Sequence, residues 1–378
     1  MSAIQKREGT IKESFNINQV FLLNRSDRYT ALEGLRGIAV LMIYFVHFFA
    51  YYNKQSFLPE EYSVLSALIR FLSSGQIGVD LFFVLSGFFI SISLAKRSSS
   101  FCSFIKKRFI RLLPAHAFIL TILVLLHKSF DPTMIITNIF FINIFFENIK
   151  IINIVTWSLG YEVVFYTIYG LWKIKLKNIK ALHSTFAFFI VFIGLWTAQW
   201  WGQPLVSWIS ANTLKIPDMS RFIGFVFGVG IAKLYLSDNL KRKYTKLINM
   251  MLVPAIGGLV LLQWYWELGR LHKPVYFLMV DFAFCILIAG VLIKNKYISF
   301  LLERRFLRLS GGISYSFYLS HPIILSLTYG ITKGMDKYLG FAIHFILSLS
   351  LTYFVSALMF ILLEKPYFTK GSSAKERL

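Results

Sequence analysis

The chain has 378 residues, 56% of them hydrophobic and 17% aromatic, and only 15% are charged, against about a quarter in a soluble domain. That balance excludes a soluble globular enzyme and a disordered chain alike. The formal net charge of +22 raises nucleic acid as a partner, but the basic residues form short clusters between apolar runs, not one stripe, and so predict cytoplasmic loops beside a lipid bilayer and no nucleic acid.

Residues 1–30 are polar and mixed in charge, without the apolar run and small-residue cleavage site of a signal peptide, so the first apolar span is expected to be retained. Windows of about 20 apolar residues predict spans near 32–52, 75–95, 112–128, 155–172, 184–203, 219–237, 248–268, 274–293, 312–331 and 339–362. The stretch 133–152 is apolar too, but Asn138, Asn143, Glu147 and Asn148 interrupt it and predict a re-entrant or interfacial segment. With the N-terminus inside, three quarters of the 40 Lys and Arg residues fall on the cytoplasmic side, as the positive-inside rule requires. The expectation is an all-α integral membrane protein of about ten transmembrane helices, both termini cytoplasmic, seated in the inner (cytoplasmic) membrane. It divides into a cytoplasmic segment 1–30, a transmembrane domain 31–364 and a tail 365–378. No internal repeat is visible, which weighs against a secondary transporter built on inverted halves. Cys102 and Cys285 imply no disulfide framework, and His116, His127, His183, His272 and His344 share no ligand spacing, so no metal is expected.

The spans carry polar residues that are costly in lipid. In span one Arg36 and His47 stand eleven residues apart, about three helical turns, and so share one face. An intramembrane Arg costs roughly 2.5–3.5 kcal/mol on insertion scales, and such residues mark function by default. Span two reads Gly78-Val79-Asp80-Leu81-Phe82-Phe83-Val84-Leu85-Ser86-Gly87-Phe88; Asp80 serves either the helix N-terminus or the orientation of His47. Ahead of span three, Lys107, Arg108 and Arg111 are one-turn neighbours whose heads can converge on phosphate oxygens, although lipid anchoring is the favoured account of a bare basic cluster. Span four opens with Trp157 and carries Glu162 one and a half turns in. Span nine aligns Ser314, Tyr318 and His321 as a stripe of hydrogen-bonding groups, before a helix-kinking Pro322. Asp281 reads as half of a structural pair.

Taken in order, Leu32-Glu33-Gly34-Leu35-Arg36-Gly37-Ile38-Ala39 with His47, the Asp80 segment, Arg108-x-x-Arg111 before Leu112-Leu113-Pro114, Trp157-Ser158-Leu159 with Glu162, Tyr315 to His321, and Glu364-Lys365-Pro366 resemble the membrane-bound acyltransferase family 3 over about residues 28–367. The resemblance implies O-acylation of bacterial glycans from cytoplasmic acyl-CoA, most commonly acetyl-CoA. It further implies a catalytic His47 with Arg36 in its site, and Arg108 and Arg111 (with Lys107 beside them) on the acyl-CoA. It looks like the form without a fused extracytoplasmic domain. On this reading His47 serves as general base, steadied by Asp80 or Glu162, while Tyr318, His321, Ser314 and Trp157 supply polar contacts to substrate or structure. The competing reading is a transporter or flippase for an acyl or glycan intermediate that uses the same polar residues as its path.

Overall fold

The structure, a computed structural model, describes residues 20–21, 29–52, 69, 71–96, 100–127, 131–146, 148–175, 190, 194, 217–267, 269 and 272–367. Most of the expected span at 184–203, most of segment 1–30, most of the loops 53–74 and 203–218, and the tail past residue 367 lie outside those residues. In chain order the described helices are α1 (Thr30–Phe49), α2 (Gly78–Lys96), α3 (Phe101–His127), α4 (Pro132–Ile139), α5 (Trp157–Lys175), α6 (Ile223–Leu236), α7 (Asn239–Glu267), α8 (Lys273–Leu292), α9 (Lys296–Leu302), α10 (Arg305–Gly312), α11 (Ser314–Thr332) and α12 (Lys337–Met359). No strand occurs among the described residues.

Seven of these helical stretches, α1, α2, α3, α6, α7, α8 and α12, are long and apolar enough to cross a membrane. The protein is a multi-pass, all-helical membrane protein. α5 and α11, 19 residues each, coincide with the expected spans at 155–172 and 312–331 but carry more polar side chains. α3 starts eleven residues before the expected 112, and α7 starts at Asn239, not near 248. An apolar window sees only lipid-facing sequence, whereas Lys and Arg are good helix formers and extend both helices outward from the bilayer.

The interrupted stretch 133–152 folds as the eight-residue α4 followed by irregular chain. At about 12 Å, α4 is too short for a hydrocarbon core of about 30 Å. Asn138 ties the segment together: its amide nitrogen donates to the Met134 and Lys150 carbonyls, and its side-chain oxygen accepts from Ile152 N and Asn143 Nδ2. Asn138, one of the side chains that interrupt the apolar pattern, therefore satisfies this turn's backbone, with Asn143 bonded to it.

α1 runs through the middle of the bundle, against α2, α10 and α11. Its Leu32, Leu35, Ala39, Val40, Ile43, Tyr44 and Phe48 are buried at helical spacing. Two close approaches set the geometry. A Cβ at Gly311 of α10 would collide with the Glu33 carbonyl of α1, and one at Gly228 of α6 with the Val84 carbonyl of α2. Backbones meet directly there, as packing without a hydrophobic drive between helices demands. Outward, α7, α12 and the turn after α12 expose Met250, Val253, Phe354 and Leu362, with Val253 78% exposed, which is the surface lipid would cover.

Candidate active site

His47 occupies the last turn of α1, half-buried beside the core residues Phe48 and Phe49. Its Nδ1 lies 2.9 Å from the Ile43 carbonyl oxygen, which can only accept, so Nδ1 carries the proton. The same Nδ1 is 3.1 Å from Nε2 of His321. On its own side, His321 donates from Nδ1 to the Phe317 carbonyl at 3.1 Å, which leaves its Nε2 as the acceptor toward His47. Pro322, next in α11, has no N–H to give the Tyr318 carbonyl, which loosens the turn that holds His321. The two rings sit 5.0 Å apart, and His321 is fully buried. The pair thus fixes one tautomer, and the unprotonated Nε2 of His47 remains available for chemistry.

His47 lines a cavity of about 200 Å³. Opposite and beside it stand Tyr318, Trp157, Gln76, Arg221 and Lys273. Tyr318 is fixed by donation to the Val155 carbonyl at 2.7 Å and by Ser158 Oγ at 2.8 Å. Arg221 donates from Nη1 to Asp80 Oδ1 at 3.3 Å, and its guanidinium lies over Phe277 at 4.1 Å and Trp157 at 5.0 Å. Asp80 is 1% exposed, and Asp281 of α8 is in electrostatic range of both Asp80 and Arg221. At the rim, Lys273 Nζ meets Asp218 Oδ2 at 2.6 Å. Partial burial pushes the Asp218 carboxyl up, but the Lys273 ammonium and the Ser220 hydrogen bonds outweigh it and hold the group below the usual carboxylate range.

A second polar centre lies toward the other end of α1. Glu364, in the wide π-helical turn Phe360–Glu364 that follows α12, accepts from Ser316 N at 3.2 Å and from Ser316 Oγ, and it feels the charges of Arg111 and Arg36. Arg108 lies over the Tyr166 ring at 5.5 Å and the Phe104 ring at 5.4 Å, within electrostatic range of Arg111 and Glu162. Glu162 accepts from Ser86 Oγ at 2.6 Å and from the Tyr166 hydroxyl. None of Arg36, Arg108 or Arg111 lines the His47 cavity.

Several expectations about the site need correcting on geometric grounds. Neither Asp80 nor Glu162 steadies His47: Asp80 is engaged by Arg221, and Glu162 by Ser86 and Tyr166. A second imidazole and a backbone carbonyl hold the ring instead. The Ser314, Tyr318, His321 stripe divides, since His321 meets α1 and Tyr318 meets the start of α5, while Ser314 Oγ is buried without a hydrogen bond. Lys107 is exposed, whereas Arg108 and Arg111 are half-buried. Residue spacing did not reveal Arg221. Its only signal was a cation at the mouth of the span at 219–237, with a buried acid elsewhere in the chain lacking a partner. Among the described residues no group of three His, Cys, Asp or Glu side chains stands ready for a metal.

Residues 29–361 match the model of the acyltransferase domain family. The chain is similar to the O-acetyltransferase OatA of Staphylococcus aureus strains NCTC 8325 and MRSA252, 24% identical in each case over 92% of this chain and 59% of the relative. It therefore spans about three fifths of the length of the curated relatives it matches. No solved structure matches.

Proposed function

The chain belongs to the acyltransferase domain family, and from that premise we propose that it transfers an acyl group, most simply acetyl from cytoplasmic acetyl-CoA, to a hydroxyl of a cell-envelope glycan. The observation that carries this reading is the His47–His321 pair beside the cavity, with Nδ1 of His47 committed to the Ile43 carbonyl and to His321. An imidazole held in one tautomer with its other nitrogen open is what a general base needs.

His47 Nε2 takes the proton of the acceptor hydroxyl as the oxygen attacks the acyl carbonyl. The C–S bond breaks, and the departing thiolate recovers the proton from the imidazolium. His321 plays the part that an acid plays in a Ser-His-Asp triad, orienting the base without taking its proton. Trp157, Tyr318 and Gln76 supply an aromatic face and hydrogen-bonding groups for a sugar ring. Arg108 and Arg111 are the fork-shaped cations suited to the phosphates of the donor. On this reading the Arg36 end faces the cytosol of an inner-membrane protein and the His47 end faces the glycan. A cytosolic thioester and an external alcohol then approach one catalytic nitrogen from opposite sides.

The test is transfer itself. Purified protein in lipid nanodiscs is given acetyl-CoA and soluble envelope oligosaccharides, and acetylated product is followed by mass spectrometry. Product formation that disappears in His47→Ala supports the reading. In sealed vesicles reconstituted with the protein, transport of an intact acyl or glycan intermediate without CoA release overturns it in favour of a flippase.

A further inference from the structure

We propose that Arg221 is a second catalytic residue of the His47 cavity, binding the acyl carbonyl oxygen and carrying the negative charge that develops there as the acceptor attacks. The inference rests on the acyl-transfer reading above and names the group that completes it.

Arg221 lines the same cavity as His47 but comes from a different element, the turn that opens α6. One of its N–H groups is given to Asp80, and its plane is held by the faces of Trp157 and Phe277. The side chain of Asp80 is 2% exposed and that of Arg221 is 22% exposed, so the counter-ion is sealed while the guanidinium opens to the cavity. A guanidinium has five N–H donors, and this arrangement leaves several to face a ligand. The group is also immobilised before any substrate arrives, which is the condition for stabilising charge without a reorganisation cost. Lys273, the other cation of this wall, is paired with Asp218 at 2.6 Å and half exposed, which makes it a weaker candidate.

The step balances with the groups named. The acceptor O–H gives its proton to His47 Nε2, the new C–O bond forms, and the carbonyl π pair moves onto the oxygen held by Arg221. Collapse restores the carbonyl and breaks the C–S bond, whose electron pair leaves with sulfur. The thiolate then takes the proton back from His47. Asp80 acts through Arg221 and is a positioning residue.

The experiment uses the full chain in nanodiscs with acetyl-CoA as donor and N-acetylglucosamine oligomers as acceptor probe, read by thiol release. Arg221→Ala is expected to lower kcat by about 10²–10³-fold, with the acetyl-CoA KM within about twofold of the parent. Millimolar guanidinium restores at least a tenth of the lost rate in Arg221→Ala and none in His47→Ala, and Asp80→Asn gives a smaller kcat loss that Arg221→Lys does not mimic. An unchanged kcat in Arg221→Ala overturns the assignment. So does a loss accompanied by a lower melting temperature and no rescue, which marks a purely structural ion pair. Full activity in His47→Ala removes His47 from the mechanism, and a parent protein that releases no thiol overturns the underlying acyl-transfer reading. An inactive His47→Ala beside an active Arg221→Ala overturns only the role of Arg221.

Discussion

The two polar centres along α1 are built differently. At the His47 end, an imidazole lines a cavity of about 200 Å³ and is held from behind by the buried His321 ring and the Ile43 carbonyl. At the Arg36 end, Glu364 collects Ser316 and the fields of Arg36 and Arg111, and Arg108 is laid over aromatic rings. The first leaves a reactive atom accessible; the second places several cations around a buried acid. A buried charge needs partners to exist at all, whereas a neutral imidazole with one nitrogen committed keeps the other for substrate. The difference teaches that polarity within a membrane bundle is not one signal. Charge balance describes one end, and tautomer control describes the other.

Mutations sharpen that contrast. The largest effect is expected from His47→Ala, a loss of transfer of about 10²–10⁴-fold with normal membrane insertion; a variant that still acetylates at the parental rate removes His47 from the mechanism. Next comes His321→Gln, which disturbs ring orientation without removing the base. The loss in kcat should reach about 10²-fold at most, with an unchanged donor KM, and a rise in KM alone would place His321 on the substrate instead. At the other end, Arg111→Ala is expected to raise the acetyl-CoA KM about tenfold, the value of one charge-assisted hydrogen bond, while kcat holds. An unaltered KM would return the arginines to lipid contact.

The smallest effect belongs to the rim. Lys273→Met removes the partner of Asp218, whose carboxyl is held below its ordinary range in the folded protein. A depressed carboxylate contributes stability above its unfolded pKa and loses it as the pH falls through the folded value. The parent should therefore exceed the variant by about 0.5–1 kcal/mol near neutral pH, and the gap should close well below about pH 4. Thermal melts in detergent across that range give the answer, and a gap that widens on acidification would reverse the sign.

Much of the framework was readable from residue order. Apolar windows located α1, α2, α6, α8, α11 and α12 to within a few residues, because a span must be apolar over its whole length wherever it meets lipid. Helix starts outside the bilayer were not readable that way, as α3 and α7 show, since basic residues extend a helix while ending the hydropathy signal. Within the site, His47 and His321 were singled out separately, but nothing in their 274-residue separation announces a contact. Asp80 is visible in the sequence as a buried acid, yet nothing in its own span names Arg221 as its partner. An acid inside a span can be paired from any neighbouring helix, and α6 happens to bring Arg221 to it.

Sequence alone determined that this chain lives in a bilayer, where most of its long apolar helices lie, and which few side chains are too polar to be there without a reason. Those facts follow from transfer free energy, a property of each residue in its own window. The tertiary structure decided which polar groups meet: His321 on His47, Arg221 on Asp80, Ser316 on Glu364. Helix order and the close backbone approaches at Gly311 and Gly228 set those meetings. They depend on distances of a few ångströms between helices far apart in the chain, which no local periodicity encodes.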